Sequence, residues 1–436
     1  MKLFKISEED GTAVNNHHID VLDGIRAMAI LIVVWLHLWE QCWLMPIIQT
    51  PALSFLRIND INLDWIPRTG YMMVTMMIFL SGFCLYLPYA RHDQLGEPLP
   101  NTKTFFRKRV ARIIPSYMFC VLAIFIYNIV KGVYLASDFP LNGDTTFWAK
   151  DLFSHLTFTF NLIPQVASFS QLNGVLWTVA LEVQFYLIFP LIVKAFRKKP
   201  VLTYVIMALV SFAATFYANS PGSNINFLMH QLPTYMGVYA NGFLGAAIFV
   251  GMSSKIKRNK YIGLISTIIS VFCIYVYYLM MINLRAAADQ EGGVNSWQMH
   301  NRFYISVLFM IFCITTAYAL GFYRKIFSNK VAVFISTISF NLYMWHQFLA
   351  VAFVKNHIPY YEGDTPPNQL GDRPWMWKHF LLSIAASLLM AILTTYLIEK
   401  PMAKLILGKK NNTKAASTQK QPLKKPDKHA IRNKKR

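Results

Sequence analysis

Four stretches of the chain set ionisable side chains among apolar ones. The first, VLDGIRAMAILIVVWLHLWEQCWL, carries Arg26 and His37. A charge inside an apolar helix is costly, so such residues are functional candidates by default. At about 100° per residue, the spacing brings Arg26 and His37 to one face, and at about 1.5 Å per residue it parts them by about 16.5 Å along the axis. Asp23 lies one turn before Arg26 and is placed to pair with it. The second stretch, FFRKRVARIIPSY, sets Arg109, Arg112 and Pro115 in an RxxRxxP pattern. Its two guanidinium forks share one side of a helix and suit phosphate oxygens. The third, NGVLWTVALEVQFYLIFPLI, places Glu182 between Thr178 and Tyr186, each four residues away on the same face. A carboxylate buried there needs a partner or a proton. The fourth, FISTISFNLYMWHQF, strings Ser336, Ser339, Tyr343 and His346 into a polar stripe. Taken singly, each has an ordinary reading: a snorkelling Arg, a hydrogen-bonded structural His, positive charge at a helix end. Ser81-Gly82 in IFLSGFCLY reads first as a close approach of two helices. Glu399 in YLIEKP reads as part of a helix stop near a membrane edge.

The elements that carry these residues are apolar runs. The chain has 436 residues, 55% of them hydrophobic and only 14% charged, against roughly 25% charged in soluble domains. Ten runs are long enough to span a bilayer, near 21–44, 69–90, 111–134, 174–196, 201–219, 231–252, 261–284, 303–322, 331–354 and 378–398. Backbone groups in a bilayer must be satisfied internally, so each run is read as a helix, and the expected fold is an all-α polytopic bundle of about ten transmembrane helices. With the N-terminus inside, 32 of the 42 Lys and Arg fall on inner segments, nine fall outside or at outer edges, and Arg26 lies within a helix. The outer nine include Lys131, Arg302 and Lys355. That bias predicts N- and C-termini on the cytoplasmic side of the cell membrane. Arg109 and Arg112 are then inner, while His37, Glu182 and His346 lie toward the outer half. The long outer connections, 45–68, 135–173, 285–302 and 355–377, are suited to holding a polar substrate. The apolar segment 147–164 is short for a span and reads as an interfacial or re-entrant helix.

The organisation expected is a cytoplasmic segment over 1–20, a transmembrane domain over 21–402, and a basic, disordered cytoplasmic tail over 403–436. That tail has the charge to touch anionic headgroups. The net charge of +21 sits in short clusters between apolar runs, so no nucleic-acid partner is expected. The five cysteines lie in or beside apolar segments with no zinc-site spacing, and no metal is expected. The polar first twenty residues do not read as a cleavable signal.

The ordered set LDGIRAMAILIVVWLH, FLSGF, FRKRVARIIP, LWTVALEVQFYLIFP, ISFNLYMWH and IEKP resembles the acyltransferase-3 family of membrane acyltransferases across roughly residues 20–402. Where that family usually has two acidic residues before QFYL, this chain has Glu182-Val183, so only Glu182 carries over. Some members carry an additional extracytoplasmic hydrolase domain, for which 436 residues are expected to leave no room. The resemblance implies transfer of an acyl group, most commonly acetyl, from cytoplasmic acyl-CoA to a hydroxyl of an extracytoplasmic glycan or similar envelope acceptor. Arg109, Arg112 and Arg26 would then hold the CoA phosphates. His37 would act as general base on the acceptor hydroxyl. Glu182 or His346 would orient His37 or the acceptor. A covalent acyl-enzyme stays open.

Other patterns lead nowhere. His18 and Asp23 match an HxxxxD spacing only across the start of a helix, and HExxH, Walker and GxSxG motifs are absent. The rival class is a transporter or flippase, which would also bury His, Glu and Arg. Inverted repeats and broken helix pairs, which would favour it, are not evident.

Overall fold

A computed structural model describes residues 19–408, apart from 45–46, 64, 137–140, 142–143, 145 and 289–292. Most of the tail and the first eighteen residues lie outside the described residues. Among the described residues ten long helices form the bundle: α1 (Asp20–Cys42), α2 (Met73–Leu95), α3 (Thr102–Val130), α4 (Trp177–Lys198), α5 (Pro200–Ala218), α6 (Met236–Lys255), α7 (Lys260–Ala286), α8 (Gly293–Tyr318), α9 (Lys330–Lys355) and α10 (Arg373–Leu393). Among the described residues, nine helical stretches are long and apolar enough to cross a membrane. The tenth long helix, α9, is excluded by its polarity rather than its length. It carries Ser336, Ser339, Asn341, Tyr343 and His346, all buried against its neighbours.

The polar stripe of α9 is tolerable because α9 is packed between α1 and α10, where polar groups find protein partners. α1 also packs on α2, and α2 runs closely along α6. A β-carbon built on Gly242 of α6 would lie 2.7 Å from the Phe79 carbonyl oxygen of α2, so only glycine permits that approach. The constraint is tighter at Gly24, where a β-carbon would lie 1.8 Å from the Phe327 carbonyl oxygen. Gly24→Ala should therefore deprive α1 of its seat against the short helix Gly321–Phe327. The expected result is loss of the monodisperse peak on size exclusion in detergent, and an unchanged peak and thermal midpoint would refute the packing argument.

Side-chain ties define the two ends of the bundle. At the basic end, the Arg197 guanidinium forks onto Asp93 at 2.6–3.0 Å. There too Arg258 donates to the Ala317 carbonyl and Arg107 to that of Ile406. At the other end, the longer connections interlock. Gln231 donates to the Asn161 carbonyl, Ser296 to Asn219, and Asn368 to the Gln41 carbonyl. The segment expected to be interfacial folds as a ten-residue helix, Phe147–Leu156, followed by the shorter Pro164–Phe169. Within the expected loop 45–68, Ile47–Gln49 pairs antiparallel with Asp60–Asn62.

Several boundaries differ from the sequence reading. α3 starts at Thr102, where the Asn101 side chain caps the Thr104 amide. α8 starts at Gly293 and takes up most of the expected loop 285–302. The YLIEKP segment is no helix stop: α10 continues through a π-helical stretch, Thr394–Glu399, into a final α segment, Lys400–Leu407. Pro401 has no N–H to offer the preceding turn, and it directly follows the π-helical stretch, where the regular α-helical hydrogen-bond ladder is already interrupted. Residues 403–407, expected in the tail, therefore belong to the helix.

Candidate active site

Two cavities meet inside the bundle. The larger, about 690 Å³, opens toward the end with long connections and is lined by His37 and Glu40 of α1. The smaller, about 100 Å³, lies toward the basic end and is lined by Arg26, Arg109, Arg112 and Glu182. Val74 and Tyr343 line both. Tyr343 is fixed by donating its hydroxyl to the Val175 carbonyl at 3.1 Å.

In the larger cavity, His37 Nδ1 lies 2.8 Å from Glu40 Oε2. With the carboxylate accepting from Nδ1–H, the lone pair is left on Nε2. Glu40 was not singled out in the sequence, although its position one turn after His37 was the available signal. The His346 ring centroid is 5.2 Å from that of His37, so the structure does bring the two expected histidines together. His346 lines neither cavity. It is fully buried behind His37, its Nδ1 2.8 Å from the Tyr343 carbonyl oxygen and its Nε2 without a hydrogen-bond partner among the described residues.

Glu182 sits elsewhere. It lines the smaller cavity and accepts the Ser81 hydroxyl at 2.7 Å and the Tyr186 phenol. Of the two residues expected to orient His37 or the acceptor, His346 lies beside His37, whereas Glu182 shares its cavity with the three arginines. Ser81, read first as a packing residue, is its partner. Tyr186 was correctly placed on the Glu182 face. Arg26 contacts Asp23 at 3.6 Å and donates to Cys84 Sγ at 3.8 Å. The Arg109 guanidinium lies over the Phe105 and Tyr186 rings, 5.5 and 5.3 Å from their centroids. Its Nε and the Tyr239 hydroxyl of the same cavity are buried without a hydrogen-bond partner among the described residues. Buried polar atoms in native proteins are mostly satisfied, so these donors are suited to a ligand. Three guanidinium groups and one carboxylate line this cavity, with Asp23 against Arg26 at its edge, so it offers an anionic ligand several N–H donors. Glu399 accepts from Asn341 at 2.7 Å; it anchors the π-helical stretch and lines neither cavity. Among the described residues no group of three or more His, Cys, Asp or Glu is arranged to hold a metal ion.

The wall of the larger cavity is rich in carboxamides, including Asn161, Asn173, Asn226, Gln231, Gln298 and Gln347, with Trp177, Tyr71 and Tyr235 among them. Amide and aromatic groups together suit a neutral polyhydroxylated ligand. The strand of chain from Met229 to Tyr235 is braced from behind by Arg302, which donates to Thr234 Oγ1 at 2.8 Å and to the Met229 carbonyl, and stacks on Tyr235. His230, on that strand, lies against Trp177. Burial, with the Arg302 cation nearby, pushes the His230 imidazole down to about 4. Between that value and the ordinary 6.5 the unfolded chain holds more protons than the folded one, so this group makes stability rise with pH across the window. His230→Gln should flatten that part of the profile, measured as the difference in thermal midpoint between about pH 4.5 and 7 against the parent protein; an unaltered slope would remove His230 as its source.

A carboxylate-oriented imidazole can take a proton from a hydroxyl, and the adjoining arginine-lined cavity can hold the partner that the hydroxyl attacks. Comparison with known proteins agrees with acyl chemistry. A family model described as an acyltransferase domain matches residues 19–400. The peptidoglycan O-acetyltransferase OatA of Listeria monocytogenes is 23% identical over 405 residues, covering 90% of this chain and 57% of its own length. A protein of Acidianus two-tailed virus named "Putative acetyltransferase ORF330" is 26% identical over 349 residues, 79% of this chain and 87% of its own. A Staphylococcus aureus protein named "Putative O-acetyltransferase" is 24% identical over 408 residues, 89% of this chain and 58% of its own. The chain thus spans under two thirds of the bacterial relatives it matches. No solved structure matches. The ordered motifs, the multi-pass helical bundle and a family match over most of the length together place this chain in the acyltransferase-3 family of membrane acyltransferases.

Proposed function

We propose that the protein is a membrane O-acetyltransferase that moves an acetyl group from acetyl-CoA, held at the basic end, to a hydroxyl of an envelope glycan held at the opposite end. The observation that carries this reading is the His37–Glu40 pair on the wall of a carboxamide-rich cavity that meets an arginine-lined one at Val74 and Tyr343. Arg109, Arg112 and Arg26 bind the phosphates of the donor, and the thioester arm reaches past Tyr343 toward His37. His37 Nε2 takes the acceptor hydroxyl proton as the oxygen attacks the thioester carbonyl carbon. The carbon–sulfur bond then breaks, and the imidazolium returns that proton to the departing thiolate. The products are an acetyl ester and free CoA thiol. Glu40 holds the ring and favours the imidazolium as it forms. His346 packs behind the ring and sets its position. Lys and Arg clustering at the basic end supports a cytoplasmic location for that end, and for both termini, in the cell membrane.

The names of these relatives support acetyl and a glycan, since one is named a peptidoglycan O-acetyltransferase. The test is thiol release from acetyl-CoA by protein purified in detergent, with and without oligosaccharide. Release that depends on the acceptor, with the acetyl ester found on it by mass spectrometry, is the expected result. Substrate accumulation in vesicles without acyl-CoA, and no thiol release, would instead establish a carrier.

A further inference from the structure

A third cavity, about 450 Å³, adjoins the carboxamide-rich one and has a different character. It is lined by Lys131, beside the end of α3, and Lys355, the last residue of α9, and among the described residues no carboxylate lines it. These are two of only nine Lys and Arg that fall outside or at the outer edges in the sequence reading, where cations are otherwise sparse. Ser170, Asn173, Gly174 and Gln347 line both cavities, so a ligand longer than one cavity crosses from one to the other along that partition.

The partition is built rather than incidental. The Gln171 amide donates to the buried Asp151 carboxylate at 3.1 Å, and its carbonyl accepts from Asn128 at 2.7 Å. Asp151 also accepts the Tyr134 hydroxyl at 2.9 Å. On the far side Asn173 donates to the Met344 carbonyl at 2.7 Å. Asn356, which caps the end of α9, also donates to the Tyr127 hydroxyl at 2.6 Å, tying α9 to α3 and fixing the gap that both lysines border. Tyr127 meets Phe348 edge to face, giving that gap an aromatic wall. An ammonium pair above a fixed polar and aromatic wall is the chemistry that receives a carboxylate or phosphate on a sugar.

We propose that this third cavity is an anion subsite of the acceptor site: Lys131 and Lys355 bind an acidic group on the sugar next to the one whose hydroxyl is acylated. The inference rests on reading the carboxamide-rich cavity as the acceptor site. It makes the protein selective for acidic glycans, through two residues outside the reacting centre.

Binding of two oligosaccharides of equal length tests it, using full-length protein in nanodiscs of neutral lipid. One is a β-1,4-linked N-acetylglucosamine tetramer. The other is the same chain with alternate sugars carrying an O-lactyl carboxylate. The acidic chain should bind about tenfold more tightly at low salt, as two partly screened charge pairs would give, with the difference shrinking as salt rises. The double variant Lys131→Gln/Lys355→Gln should erase the difference while leaving the neutral chain unaffected, and Lys131→Arg/Lys355→Arg should restore it. Equal affinities, no binding of the acidic chain, or a preference that arises only with anionic lipid would overturn the subsite. Failure of the acyltransfer reading shows separately, as the absence of acceptor-dependent thiol release from acetyl-CoA by the parent protein.

Discussion

His37→Ala should lower acceptor-dependent thiol release by about a thousandfold, within the range ascribed to a positioned general base, while the KM for acetyl-CoA changes little. The asymmetry follows from placement. His37 lines the larger cavity, and the arginines line the smaller one, so removing the imidazole takes away proton transfer and leaves the donor site untouched. Glu40→Gln should have a smaller effect, about ten- to a hundredfold, because an amide oxygen still accepts from Nδ1–H but no longer stabilises the imidazolium. His346→Gln separates contact from support: His346 is buried behind His37 and lines neither cavity. Its loss should cost less than that of His37 and leave the pH profile of turnover unmoved. Wild-type thiol release by His37→Ala protein, at matched expression, would remove this histidine from the reaction.

How much of this was legible beforehand depended on whether the signal lay along one helix or between several. Apolar run length is a property of consecutive residues, and it located the ten long helices found among the described residues. The Arg26–His37 face is likewise internal to α1. Boundaries failed where tertiary contacts stabilise helix that lipid does not. Residues 293–302 are polar, yet they are helical because Trp297 donates to Asn283 and Ser296 to Asn219. The partners of Glu182 were open in the sequence for a related reason. Counting residues from a helix end gives depth, but the facing partners depend on how α4 is turned against α2 and α3, and the partners there are Ser81 and the arginines. Glu40 was legible in principle, one turn beyond His37, but a glutamate near a helix end has no local feature that separates it from surface charge. The carboxamide cavity was not legible at all. Its wall draws Asn161, Asn226, Gln298 and Gln347 from four separate segments, and no single segment announces it.

Charge reversal of Arg109 and Arg112 together should raise the KM for acetyl-CoA by about a hundredfold or more, since charge-assisted bonds to phosphate contribute roughly 1.5–3 kcal/mol each. Acceptor affinity, read with the neutral tetramer, should stay within about twofold. The reversal also sets new carboxylates beside Glu182, and uncompensated buried charge of one sign destabilises a fold. Arg109→Lys and Arg112→Lys therefore provide the cleaner measurement. They keep the positive charge facing Glu182 but lose the planar fork, and at Arg109 the stacking over Phe105 and Tyr186. Each should raise the donor KM by about tenfold with normal thermal stability. Glu182→Gln works in the opposite sense electrostatically. It removes the negative charge from a cavity that must admit phosphate, while the amide oxygen can still accept from Ser81 and Tyr186. If Glu182 only positions the arginines, this variant should bind the donor at least as well as the parent and keep most of its turnover. If instead Glu182 takes part in the chemistry, turnover should fall with donor KM unchanged. A fall in donor and acceptor affinity by the same factor, in the lysine variants, would show that Arg109 and Arg112 support the bundle as a whole and do not hold the donor.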